Sequence, residues 1–113
     1  MRGKDEAEAQ ARLVLFNQAI ERIEKQINDK LKGDGTSLKL LADLKENSAY
    51  IESILDASKD SEQLNDLAQV GKEIVDGLEQ KIKDQNKNIA ALLVTEFKKI
   101  KNYYLPFLIK HLF

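Results

Sequence analysis

The amino-acid sequence predicts an all-α protein, an antiparallel three- or four-helix bundle with coiled-coil-like packing. Three observations lead there. Apolar residues recur at steps of three and four along most of the chain, which places them on one face of successive helices. Five Gly and one Pro in 113 residues are too few for a turn-rich β-sandwich. Short polar or glycine-bearing segments then interrupt the periodicity at intervals that suit helices joined by brief connections.

The first helix is expected over about residues 5–32. Its seam is Leu13, Phe16, Ile20, Ile23 and Ile27, and the opposite face is charged. Glu8/Arg12 and Glu21/Lys25 stand in the favourable i,i+4 order, worth ~0.2–0.5 kcal/mol each. Gly33-Asp34-Gly35 supplies the stop, since glycine tolerates the left-handed geometry of a helix C-terminus. Lys32 to Ser37 also precedes a helix and could cradle an anion. It lacks the G-x-x-x-x-G-K-[ST] order, however, and Asp34 would repel phosphate.

Thr36 or Ser37 is expected to cap the second helix with its hydroxyl. That seam reads Leu41, Leu44, Ser48, Ile51, Leu55, widened by Leu40 and Ile54, and the helix should end near Ala57. Asp60 with Gln63 three residues on resembles a capping box for the third helix. The third seam is expected to be Leu64, Leu67, Gly71, Ile74, Leu78, Ile82. Gly71 either admits a large neighbour closely or, like Gly77, merely softens the helix.

Residues 83–88 contain no apolar side chain, and two readings stay open. Asn86 or Asn88 could cap a fourth helix starting near Ile89. Alternatively the register continues through Leu78, Ile82, Gln85, Ile89 and Leu92 as one helix of about forty residues, some ~60 Å long. Either way Ile89 to Tyr104 is helical. Pro106 should end or kink it, because proline cannot donate to the residue 102 carbonyl. The expected organisation is a bundle over 1–104 and an apolar C-terminal tail over 105–113, after Pro106, that is either docked or partner-binding.

Composition narrows the function classes. With no Cys and one His, His111 near the end of the sequence, thiolate metal sites, thiol catalysis and His-based triads have no material. No enzyme activity, cofactor or metal is expected. Glu73, Asp76 and Glu79 fall three apart and could gather a cation, but a solvated helix face accounts for them. No targeting peptide is visible at the N-terminus, and a cytoplasmic home is expected.

Charge is spread unevenly. Residues 1–82 carry a net of −5 and residues 83–113 a net of +4, together the chain's −1. The basic portion also holds Phe97, Tyr103, Tyr104, Phe107 and Phe113, most of the chain's seven aromatics, without any Arg. Phe97, Ile100 and Tyr104 share a helical face and could be core, with the lysines as its solvated side. The apolar residues beyond Pro106 exceed what a short terminal segment normally buries. The expected function is therefore a non-catalytic interaction module, an adaptor or assembly subunit. It would bind a protein partner or a copy of itself through Phe97, Lys98, Lys101, Tyr103, Tyr104, Leu105, Phe107, Leu108, Leu112 and Phe113. An alternative is an inhibitor or immunity-type protein that blocks an enzyme or toxin with an acidic face around Glu46, Glu52 and Asp56. A third is a peripheral module on an anionic membrane, using Lys98, Lys99 and Lys101. Nucleic acid is not an expected partner.

Overall fold

The computed structural model describes residues 2–31, 35–57 and 61–106. Among them are four α-helices: α1 (Arg2–Lys30), α2 (Gly35–Ala57), α3 (Ser61–Gln85) and α4 (Lys87–Lys99). A π-helical turn, Ile100–Tyr104, follows directly. Each helix packs on the next and α4 returns to α1, while the Cα atoms of the diagonal pairs α1/α3 and α2/α4 stay more than 8 Å apart among the described residues. Cross-links fix the directions. Glu24 pairs with Lys45 and Asn17 with Ser48; Asn47 reaches Leu67, and Lys101 reaches Asp76 and Glu79. Later residues on one helix thus meet earlier residues on its neighbour. The result is an antiparallel, up-down-up-down four-helix bundle. Its long axis, 44 Å, is about what the 29 residues of α1 span at ~1.5 Å per residue.

The predicted seams of α1 and α2 are filled as expected. Leu13, Phe16, Ile20, Ile23 and Ile27 are buried, as are Leu41, Leu44, Ser48, Ile51 and Leu55, with Leu40 and Ile54 partly buried at the edge. Helix α2 begins earlier than a Thr36 or Ser37 cap allows. A capping residue must stand outside the helix, and both lie within the first turn. Ser37 is instead fully buried, its hydroxyl without a hydrogen-bond partner among the described residues. The Gly33-Asp34 stop and the Asp60 capping box lie outside the described residues.

In α3 the buried row is Leu64, Ala68, Gly71, Val75, Leu78 and Ile82. Leu67 and Ile74, expected on the seam, flank it half-buried. Smaller side chains hold the centre because the neighbours come close there. A Cβ on Gly71 would sit 2.7 Å from Asn47 Oδ1 and 3.1 Å from Leu105 Cδ1. Gly71 is therefore a close-approach glycine, whereas a Cβ on Gly77 would meet open space.

Of the two readings for residues 83–88, the structure adopts the turn. Asn86 has extended backbone (φ −156°, ψ 102°), and its side chain accepts from the N–H groups of Asn88 (3.0 Å) and Ile89 (3.2 Å). It thereby satisfies two of the free donors of the first turn of α4. Its own N–H donates to the Ile82 carbonyl at 2.7 Å. One residue closes α3 and opens α4.

Pro106 was expected to end or kink the last helix, and the adjustment occurs just before it. The Leu105 N–H donates to the Ile100 carbonyl, one residue further back than in an α-helix, and the chain stays helical through 106. The widened turn adds a residue where proline would otherwise press on the residue 102 carbonyl. It also brings neighbours Tyr104 and Leu105 both inward, at 4% and 0% exposure. Leu105 is thus docked in the bundle rather than beyond it.

Candidate interaction surface on the C-terminal helix

The sequence-predicted docking residues fall into three groups. Phe97, Tyr104 and Leu105 are core. Helical spacing puts Phe97, Ile100 and Tyr104 on the inner face of α4 and its π turn, and the packed interior takes the large rings first. As side chains of the monomer core they offer a partner no surface. Lys98, Lys101 and Tyr103 face outward to differing degrees. Phe107, Leu108, Leu112 and Phe113, together with His111, lie outside the described residues.

Lys101 does not stand free. Its ammonium donates to Asp76 and to Glu79, 2.9 Å from each, and its side chain is 23% exposed. The hydrogen bonds it donates to Asp76 and then to Glu79 hold its pKa above the usual lysine value, against a smaller opposing effect of burial. Two carboxylates of the Glu73/Asp76/Glu79 row thus hold a lysine between α3 and α4. Among the described residues no group of three or more His, Asp or Glu is arranged to hold a metal ion.

Tyr103 is half-exposed. The Arg12 guanidinium lies over its ring, 4.1 Å from the centroid, a cation–π contact that joins α1 to the π turn. The Tyr104 ring stands 5.8 Å away, tilted by 56°. Tyr103 is therefore an aromatic held in place at the surface.

The residue that the periodicity misplaces is Leu92. A register carried through Gln85 makes it core, yet it is 66% exposed and Leu93 is 2% exposed. The break at Asn86 resets the phase, and the inner row of α4 becomes Ile89, Leu93 and Phe97. Counting four residues back from Phe97 would have found Leu93. Leu92 borders a groove between α1 and α4, about 430 Å³, lined also by Arg22, Lys25, Thr95, Glu96 and Lys99. The Arg22 guanidinium pairs with the Glu96 carboxylate through two nitrogens, one at 3.2 Å. That bond raises the arginine's pKa still further. Lys25 and Lys99 are exposed and make no ion pair among the described residues. A second groove, about 690 Å³, separates α3 from α4 over Ala90, Ala91 and Val94, with acids and lysines on its rims.

On the other side of the molecule, Glu46 and Glu52 are exposed on α2. Tyr50, 54% exposed, donates its hydroxyl to Glu46 at 3.0 Å, which raises the phenol's pKa. Asp56 lies in the last turn of α2.

No family model, curated protein or solved structure matches this chain. No helix among the described residues is long and apolar enough to cross a membrane.

Proposed function

We propose that the protein is a non-catalytic interaction module whose outer α4 face, from Leu92 to Tyr103, binds a partner protein. The observation that carries this reading is the exposure of Leu92. It is the most exposed large apolar side chain of the described bundle, while its neighbour Leu93 is packed inside. A leucine left outside a helix that buries Phe97, with two lysines in the same groove that make no ion pair among the described residues and a held tyrosine further along the face, suits the rim-and-anchor pattern of recognition surfaces. The absence of Cys leaves a thiol nucleophile without material, which fits a binding role.

A second reading keeps the acidic side as the working face, a stoichiometric blocker using Glu46, Glu52 and Asp56. Its support is Tyr50, an exposed aromatic fastened to one of those acids. Position-resolved photo-crosslinking separates the two. A photoreactive residue at 92, 98 or 103 is expected to yield one discrete adduct in the native host extract, and the same residue at 46, 50 or 52 none. Adducts confined to 46, 50 and 52 would overturn the first reading in favour of the second.

A further inference from the structure

Resting on that reading, we infer that the α1/α4 groove takes an acidic amphipathic helix of a partner protein. The argument is one of charge and shape. Arg22, Lys25 and Lys99 line the groove with a single carboxylate, Glu96, which is occupied by Arg22, while Glu21 adds a negative charge beside Arg22 outside the lining. Lys25 and Lys99, on opposite walls, make no ion pair among the described residues and give the groove lining a net positive charge. Leu92 stands on the same wall as Lys99, an apolar side chain left two-thirds exposed by the described residues. From Leu92 to Lys99 the wall runs seven residues, about 10 Å of helix. That length fits two turns of a docked helix, whose apolar residues at i and i+3 or i+4 could straddle Leu92. An acidic residue about two turns along from the Leu92 contact would then meet Lys99, and one facing the α1 wall would meet Lys25.

The same charges argue against a second copy as the occupant. A two-fold pair would set this groove against itself, bringing one net-positive lining against another. Two like-charged walls meeting across an interface cost affinity instead of adding to it. The complementary acidic surface belongs on a different chain.

The test uses the full ¹⁵N-labelled chain and two synthetic helical peptides with one shared apolar face. One carries Glu and Asp on its flanks, the other Lys and Arg. The acidic peptide is expected to shift the amide signals of residues 22–26 and 92–99, and to bind several-fold more weakly as salt rises from 50 to 300 mM, because exposed charges are screened. The basic peptide is expected to leave those signals in place. A chain carrying both K25E and K99E should reverse the preference by about tenfold or more, since both sites are exposed and the fold, checked by its amide spectrum, is retained. Equal binding of both peptides would overturn the inference and reduce the groove to apolar stickiness. So would amide shifts confined to α2 and α3, or a stronger response of the same amides to phosphatidylserine vesicles. If the peptides fail while crosslinks from position 92 persist, the partner is a protein of other chemistry and the interaction reading stands. If both fail, neither stands.

Discussion

The two faces of residues 87–106 come from one stretch of chain and do different work. The inner face presents Ile89, Leu93, Phe97, Ile100, Tyr104 and Leu105, all buried. The outer face presents Leu92, Thr95, Lys98, Lys99 and Tyr103, all exposed. Composition alone makes the whole segment look like one greasy, basic docking element. The comparison teaches that a small bundle uses its largest rings to fill its interior, and that a recognition surface must be sought among the side chains left over.

The strongest way to break that contrast is truncation on each face. Phe97→Ala should lower unfolding free energy in urea by about 3–5 kcal/mol, through lost transfer energy and the cavity left behind. Leu92→Ala should stay within about 0.5 kcal/mol of the parent, as expected for an exposed site without partners. Similar losses at both positions would show that the faces are not distinct.

The glycines of α3 sharpen the inner half of the comparison. An added methyl at Gly71 meets Asn47 Oδ1 and the Leu105 side chain, and Asn47 Nδ2 is already held by the Leu67 carbonyl at 2.8 Å. Overpacking should outweigh the gain in helix propensity, so Gly71→Ala is expected to destabilise by roughly 1 kcal/mol. Combined with Asn47→Ala, it should cost less than the two single changes summed, by about 0.5 kcal/mol or more. Gly77→Ala meets nothing and should stabilise by roughly 0.5–1 kcal/mol. Thermal or urea melts of the four chains check the signs.

Much of this was readable from the sequence, and the exceptions have physical causes. The seams of α1 and α2 are runs of large residues at regular steps, so the pattern and the buried rows coincide. In α3 the row passes through Ala68, Gly71 and Val75, and a reading that follows large side chains drifts onto Leu67 and Ile74. In α4 one extended residue, Asn86, resets the phase and moves Leu92 from seam to surface. The π turn lies beyond any fixed period, which is why Leu105 reads as tail. For the surface, Lys98 lies on the side expected to be solvated, and Tyr103 is exposed because it falls off the Phe97, Ile100, Tyr104 row. The carboxylates that engage Lys101 lie 22 and 25 residues away, a pairing only the return of α4 onto α3 creates.

Lys101 gives the smallest effect, at the seam between the two faces. Its pKa is raised by Asp76 and Glu79, so its contribution is complete below the unfolded lysine value of 10.5 and fades as pH rises through the higher folded value. Tyr50 is raised for a similar reason and loses its contribution over overlapping alkaline pH, so the comparison is made in a Tyr50→Phe background. There, Lys101→Met should cost at most about 1 kcal/mol at neutral pH, and the gap to its parent should close in alkali. A gap unchanged at high pH would mean that the lysine stabilises by packing its stem alone.

The division between faces is tested most directly by two adjacent thiols. The chain contains no Cys, so Leu92→Cys and Leu93→Cys each place one reporter on neighbouring residues of α4. Under native conditions the thiol at 92 should react with a maleimide as fast as a free peptide thiol. The thiol at 93 should react about a hundredfold more slowly or less, limited by opening of the fold. Equal rates at the two positions would contradict the account.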